Sequence, residues 1–180
     1  MSRNYKFHNA EGLYFISFAT VYWVDVFGRK VYFDCIVENL NYCVANKGME
    51  VYAWCIMPSH MHLVFRSRVQ KPEELIRDFK SYTAKQIIKL IEENMQESRR
   101  EWLLNSFKKA ASANSNNTKH QFWQQHNHPV ELWSTPVIKQ KIDYTHYNPV
   151  EAGFVEYDHE YLYSSARDYC DIKGLVSVII

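Results

Sequence analysis

Two long segments of the chain carry apolar residues at helical spacing, and three others are dense in β-branched and aromatic residues. Around Tyr32–Asn46 and Glu73–Met95 the apolar residues recur every three or four positions, which predicts two amphipathic helices. The segments Leu13–Phe27, Met49–Met57 and His60–Ser67 have the composition of strands. The last two are separated by little more than Pro58-Ser59, which favours a hairpin.

The second half of the chain predicts a loop, a strand and a helix. Lys108–His120 is polar and of low complexity, which is typical of a mobile loop. Gln121–Trp133 predicts a strand with an irregular middle. A helix is expected from Pro136 to about Tyr147, where Asn148-Pro149 would end it.

The resulting order, β-α-β-β-α-β followed by one more helix, is that of the ferredoxin-like split β-α-β fold. We therefore expect an α+β architecture with an antiparallel sheet. Two long helices would cover one face of the sheet and leave the other face free. We expect one domain over residues 1–180, with a core at about 13–150 and an aromatic tail at 151–180.

Composition narrows the function classes. The formal net charge is only +1, whereas DNA-binding domains are often strongly basic, so any basic surface must be local. The four cysteines lack CxxC spacing and are expected to be reduced, buried thiols of a cytosolic protein. The N-terminal segment lacks an apolar signal core, and no apolar run approaches the roughly 20 residues of a membrane span.

The stretch "AWCIMPSHMHLVFRS" places two histidines within an apolar strand. Side chains at i and i+2 of a strand share a face, so His60 and His62 would stand side by side with Met61 opposite. Two neutral imidazoles at this spacing can coordinate one divalent metal ion. The alternative is a pair of half-exposed histidines without a ligand role.

The predicted last helix carries a second pattern, "KQKIDYTHYNPVEAG". Tyr144 and Asn148 are four residues apart and share a face, and Gln140 lies one turn earlier. A tyrosine hydroxyl could attack a phosphodiester while an imidazole-bound metal polarises the phosphate. Asn148 would be the third ligand and Gln140 its rival. Tyr144 could equally be an ordinary half-buried tyrosine.

Three motifs in order, "MPSHMHLVF", "IDYTHYNPVEAGFV" and "YLYSSARDY", resemble the HUH-type single-tyrosine transposases. Within them, the chain is most similar to the REP-associated tyrosine transposase branch, over about Tyr14–Tyr169. The resemblance implies that His60 and His62 bind Mg²⁺ or Mn²⁺. It also implies that Tyr144 joins the 5′ phosphate of single-stranded DNA and leaves a free 3′-OH. The family's third ligand follows the tyrosine, which favours Asn148 over Gln140.

Basic residues on both sides of these motifs are candidate phosphate contacts. Those expected to bind DNA are Arg66, Arg68, Lys71, Lys139 and Lys141. A second HxH, His126 and His128, would belong either to an HNH-type nuclease or to a structural or groove-lining segment. We assign neither of these two histidines to a metal.

The function that the resemblance implies is metal-dependent cleavage and rejoining of single-stranded DNA at hairpin-containing sites. The alternatives are a catalytically silent hairpin-binding protein and a metal-dependent nuclease that uses water. The expected partners are single-stranded or hairpin DNA, with no membrane, in either a monomer or a homodimer. The expected location is the cytoplasm, in association with the nucleoid.

Overall fold

The computed structural model describes residues 7–113, 119–125 and 127–180. The strands are β1 (Tyr14–Ala19), β2 (Met49–Ile56), β3 (His60–Ser67) and β4 (Val130–Glu131). The helices are α1 (Lys30–Lys47), α2 (Pro72–Glu93), α3 (Arg100–Ser112) and α4 (Thr135–Glu151). The strands form one sheet in the order β2-β3-β1-β4, with every pairing antiparallel. This confirms the predicted ferredoxin-like α+β fold.

The main core lies between one face of the sheet and helices α1, α2 and α3. Alternation along β1 sends Tyr14, Ile16 and Phe18 into this core. Met61 and Leu63 of β3 join them and are fully buried. Burial of a large apolar side chain contributes about 1.5–3 kcal/mol, so this layer dominates the stability of the fold.

Gly48 ends α1. It adopts φ 67°, the left-handed conformation that glycine tolerates best, and its N–H donates to the Cys43 carbonyl. A Cβ atom there would lie 2.5 Å from Val69 Cγ2. The glycine is thus required both by the backbone and by the close approach of the chain after β3.

The second face of the sheet is covered by α4, so the expectation of a free face is wrong. This smaller core consists of Leu13, Phe15, Ala53, Val64 and Leu132, packed against Val137, Ile138 and Ile142. One side of α4 is apolar, and so is the face of the sheet opposite the main core. Packing of α4 on this face removes both apolar surfaces from water.

The chain leaves the sheet earlier than the strand predicted over Leu13–Phe27. β1 ends at Ala19, and a 3-10 turn follows at Val21–Trp23. Thr20 causes this departure, because its hydroxyl donates to the Val24 carbonyl at 2.7 Å and closes the turn. β-Branched composition predicted the strand, whereas a local side-chain bond ended it.

Helix α3 is absent from the sequence prediction, which placed a loop over Lys108–His120. Residues 108–112 are helical, and residues 114–118 lie outside the described part of the chain. The buried positions Leu103, Phe107, Ala110 and Ala111 have helical spacing. The polar residues between them conceal this pattern in the sequence. The predicted strand over Gln121–Trp133 reduces to β4 and an isolated bridge between Trp123 and Thr20.

Helix α4 continues through Pro149 instead of ending before it. A proline in a helix loses one hydrogen bond, but its fixed φ is helical. The helix instead ends with the bonding pattern of a Schellman motif, with Gly153 at φ 74°. The Phe154 N–H donates to the Pro149 carbonyl, and the Gly153 N–H donates to the Val150 carbonyl.

The cysteines and the helices bear on two expectations drawn from composition. All four cysteines are free; Cys35, Cys43 and Cys55 are buried, but Cys170 is exposed at the end of a 3-10 turn. The expectation of four buried thiols is therefore wrong for Cys170. Among the described helices, none is both long and apolar enough to cross a membrane.

The aromatic tail is fastened to β2 and α4 through a buried hydroxyl. Ser165 Oγ accepts a hydrogen bond from the Trp54 N–H at 2.9 Å and lies 2.8 Å from His146 Nε2. Burial lowers the pKa of His146 to about 4, so the ring is neutral at pH 7. The Tyr169 hydroxyl also donates to the Tyr52 carbonyl. The His146–Ser165 contact ties α4 to the tail one turn of helix after Ile142.

Ser165→Ala should lower the free energy of unfolding by about 1–3 kcal/mol, because it leaves buried polar groups of Trp54 and His146 unpaired. Urea denaturation measures the change. Ser81→Ala, at an exposed position on α2, is the control and should stay within about 0.5 kcal/mol of the parent. Equal stability of the two variants would contradict the role given to Ser165.

Candidate active site

The two histidines of β3 point away from the main core and share one face of the sheet. Their ring centroids are 4.9 Å apart and their planes are inclined by 81°. Met61, between them, lies on the opposite face and is fully buried. The alternation of the strand therefore produces the paired arrangement that the sequence predicts. His62 is buried and His60 is half-buried at the end of the strand.

Helix α4 brings Tyr144 and Asn148 to these histidines. Asn148 Oδ1 is 3.1 Å from His62 Nε2, and the Asn148 side-chain amide donates to the Tyr144 carbonyl at 2.7 Å. The ring of Tyr144 is 5.2 Å from that of His62, and 44% of the residue is exposed. The tyrosine is thus held beside the imidazoles while remaining open to solvent.

Burial makes the two histidines neutral at physiological pH. Burial, with a smaller contribution from the neighbouring His60, lowers the pKa of His62 to about 3. Burial also lowers the pKa of His60. Phe15 contributes to this environment because its ring stacks on His62 at 5.7 Å. Neutral imidazoles keep a lone pair that is available to a metal.

The donor atoms fit a divalent cation. Mg²⁺ holds oxygen ligands at about 2.0–2.1 Å in octahedral geometry, so neighbouring donors lie roughly 3 Å apart. The separation of His62 Nε2 and Asn148 Oδ1, 3.1 Å, suits two such positions. His62 Nδ1 is buried without a hydrogen-bond partner among the described residues, whereas His62 Nε2 lies against Asn148 Oδ1 and His60 Nδ1 lies 3.3 Å from Ser59 Oγ. A bound ion would replace the His62–Asn148 hydrogen bond. No cluster of three or more His, Cys, Asp or Glu in the described part of the chain offers a competing metal site.

Asn148, rather than Gln140, is the amide hydrogen-bonded to His62. Gln140 is exposed and lies about two turns before Asn148 on α4. Two turns of helix rise about 11 Å, which is enough to separate the two candidates. The geometry therefore favours Asn148 as the partner of the histidines.

Of the basic residues expected near the site, Lys141 is the one whose contacts place it there. Its Nζ lies 4.7 Å from the Phe15 ring centroid and 5.3 Å from that of Tyr144. Lys139 is exposed and pairs with Asp143 at 2.6 Å.

Arg66, Arg68 and Lys71 do not flank the histidines as expected. Arg66 is four residues beyond His62, or roughly 13 Å along the strand. Its guanidinium lies 6.0 Å from the Tyr52 ring, and Arg68 pairs with Glu50 at 2.7 Å. The prediction treated residues close to His62 in the sequence as close to the site. Along an extended strand, each residue lies farther from His62 than the one before it.

The second HxH is tied to a different part of the fold. His126 lies outside the described residues, and His128 is exposed with φ 43°. Asn127, between them, accepts a hydrogen bond from Lys80 of α2, which packs on the face of the sheet opposite His60 and His62. The strand nearby has only two residues, Val130–Glu131, so the ββα unit of an HNH nuclease does not form here.

Sequence reasoning missed two aromatic neighbours of the histidines, Phe15 and Trp23. The Trp23 ring is 5.3 Å from the His60 ring. Its placement follows from the strand register, because Ala19 pairs with His60 and the turn after β1 must emerge there. The pairing of β1 with β3 was the missing information.

Comparisons with known proteins found a matching family model and similar solved structures. The family model described as "Transposase IS200 like" matches residues 13–120, a segment that contains both histidines of β3 but ends before α4. Curated proteins give no significant match.

Two solved structures are similar to the chain. One is a REP-associated tyrosine transposase bound to a REP hairpin, with 15% identity, a TM-score of 0.62, and coverage of 100% of this chain and 93% of the other. The other is a candidate transposase from Deinococcus radiodurans R1, with 16% identity, a TM-score of 0.47, and coverage of 80% and 93% respectively. The first similarity supports the fold, including α4 and the tail.

The low pKa of His62 gives a direct prediction. Phe15→Ala should raise this pKa from about 3 towards the ordinary value of about 6.5, because it admits water to the imidazole. An NMR titration of the histidine ring signals measures the change. His146, which contacts Tyr169 and not Phe15, should keep its own lowered pKa in the variant. A parent protein in which His62 titrates near 6.5 would show that the ring is not desolvated as described.

Proposed function

Since this chain belongs to the family of IS200-like transposases, we propose that it cleaves and rejoins single-stranded DNA through a 5′-phosphotyrosine at Tyr144. Membership in the family implies DNA transposition, with cleavage and transfer of DNA strands. The finer mechanism rests on one observation: α4 brings Tyr144 and Asn148 against the histidine pair of β3.

The proposed reaction is a transesterification. The Tyr144 oxygen attacks the phosphorus atom, a tyrosine–phosphate ester forms, and the bond from phosphorus to the 3′ oxygen breaks. The phenolic proton passes to solvent, to which the residue is open, and the leaving 3′ oxygen takes up a proton. Rejoining is the same exchange with a 3′-OH as nucleophile. One ester replaces another in each step, so no ATP is required.

His60, His62 and Asn148 would hold Mg²⁺ or Mn²⁺ in this proposal. When bound, the ion would supply positive charge to a non-bridging phosphate oxygen. The protein contributes neutral imidazoles, an amide oxygen fixed by the Asn148–Tyr144 bond, and an ammonium group from Lys141 above the tyrosine. Preorganised positive groups stabilise the negative charge that develops in the transition state when the tyrosine oxygen attacks the phosphate.

The proposed substrate is a DNA strand with a hairpin and an unpaired segment. The similar structure was solved with a REP hairpin, which makes hairpin DNA the natural candidate here. Tyr144 projects from a helix packed on a sheet, so an unpaired strand can bring its phosphate to the hydroxyl more easily than a rigid duplex. Lys139 and Lys141 would meet phosphates near the site, and Arg66, Arg68 and Lys71 would meet them farther along the strand.

Tyr144→Phe should abolish the covalent protein–DNA adduct while leaving the fold intact, because it removes only the attacking hydroxyl. The measurement is incubation of labelled hairpin DNA carrying an unpaired flank with protein and Mn²⁺, followed by a denaturing gel. Tyr147→Phe is the matched control, since Tyr147 is an exposed tyrosine on the same helix, and it should retain the adduct.

Each other outcome of this gel identifies a different function. Cleavage without an adduct would indicate a nuclease that uses water. Binding without cleavage by the parent protein would indicate a silent hairpin-binding protein. An adduct that survives Tyr144→Phe and disappears in Tyr147→Phe would move the nucleophile one turn along α4.

Asn148→Ala should weaken Mn²⁺ binding by about 10- to 100-fold, the range found when residues supporting a metal site are removed. Isothermal titration calorimetry measures the affinity. Gln140→Ala is the control and should bind Mn²⁺ like the parent. If Asn148 serves only the helix, its variant should lose roughly 1 kcal/mol of stability while Mn²⁺ affinity stays unchanged. Weaker Mn²⁺ binding in Gln140→Ala alone would reverse the assignment.

A further inference from the structure

Two consecutive aromatic residues next to the histidines have a strained backbone. Tyr22 and Trp23 adopt φ values of 56° and 55°, the left-handed region that bulky side chains rarely enter. Both are exposed, at 56% and 57%, although their neighbours Val21 and Val24 are buried. Such strain persists only when the surrounding structure enforces it, and it is concentrated at functional sites.

The surrounding structure does enforce this turn. The Thr20 hydroxyl donates to the Val24 carbonyl at 2.7 Å, and the Trp23 N–H donates to the Thr20 carbonyl at 3.1 Å. The Val21 N–H donates to the Phe122 carbonyl at 2.8 Å. Val21 and Val24 therefore anchor the turn from both sides, and the two rings between them are directed into solvent. Apolar surface held in water in this way is available for a ligand to cover.

The rings belong to a groove that has both aromatic and charged walls. Its volume is about 490 Å³, within the usual range for binding clefts. The residues that line the groove include Tyr22, Trp23, Asp25, Arg99, Trp102 and Lys109. Trp102 of α3 is 55% exposed and is the third aromatic residue in it. Arg99 and Lys109 bring two cations, and Asp25 brings one carboxylate.

This groove adjoins the candidate active site. Trp23, which lines the groove, has its ring 5.3 Å from the His60 ring, so one wall of the groove touches the histidine pair. A DNA strand whose phosphate lies at Tyr144 and the histidines must continue away from the site in some direction. In the groove, aromatic rings are available to the bases of that strand and cationic side chains to its phosphates.

We propose that this groove binds the unpaired DNA strand next to the scissile phosphate, with its bases stacked on Tyr22, Trp23 and Trp102. The inference rests on the proposed function and adds to it the surface that holds the single-stranded flank. Stacking on an aromatic ring accepts any base, and Arg99 and Lys109 would contact the phosphates between bases. Duplex DNA cannot use the surface, because its bases already stack on each other.

The test separates binding from cleavage by using Tyr144→Phe protein without metal. Affinity is measured by fluorescence anisotropy for two labelled DNAs, one hairpin with an unpaired flank and the same hairpin without it. Tyr22→Gly and Trp23→Gly remove the rings at positions whose backbone suits glycine, so the melting temperature should hold or rise. Trp102→Ala removes the ring on α3. Trp23→Phe keeps a ring, and Tyr82→Ala on α2, 54% exposed and not part of the groove lining, is the control.

Each ring-removing variant should weaken binding of the flanked hairpin by about 5- to 150-fold, the range for loss of one stacked base. Binding of the hairpin without a flank should not change. Trp23→Phe should bind within a few-fold of the parent, and Tyr82→Ala should match it.

The inference is overturned if the variants bind the flanked hairpin like the parent, or if they lose both DNAs equally. In either case the parent still binds DNA, so the proposed function stands and only the groove assignment fails. Parent protein that binds neither DNA would overturn both.

Discussion

The packing of α4 on the second face of the sheet is the contact on which the candidate site depends. One side of the helix, with Val137, Ile138 and Ile142, is buried against the smaller core. The next turns then carry Tyr144 and Asn148 over β3. Asn148 and His62 are 86 residues apart in the chain and 3.1 Å apart in the structure. Ser165 fixes the same helix through His146, so α4 is held both by its apolar side and by the tail.

Burial gives the histidines of this region two different roles. His146 and His62 are both buried, and burial lowers the pKa of each well below 6.5. His146 has a close hydroxyl partner in Ser165 and serves the packing of the tail. His62 Nε2 faces the amide oxygen of Asn148, and His62 Nδ1 is buried without a hydrogen-bond partner among the described residues. A neutral imidazole can coordinate a metal, and the buried nitrogen without a partner costs some stability.

Next to these histidines, the chain departs from the usual conformational preferences of bulky residues. Tyr22 and Trp23 sit in the left-handed region and expose their rings to water, although the residues on either side are well packed. Natural sequences tend to be consistent from local propensity to global packing, and departures are expected mainly at functional sites. The turn lies next to the histidine pair because β1 and β3 are paired in register from Tyr14 to Ala19.

Local periodicity predicts the order of the strands and of helices α1, α2 and α4, the shared face of His60 and His62, and the shared face of Tyr144 and Asn148. Each of these follows from a period of two residues in a strand or 3.6 in a helix, so neighbours in the chain suffice. Long-range packing accounts for the rest: α4 covers the second face, α3 forms, and the strand predicted over Leu13–Phe27 ends at Ala19. It also carried Arg66 away from the histidines and brought Trp23 to them. These outcomes depend on which distant apolar surfaces meet and on the pairing of strands, and neither is encoded in the period of a single segment.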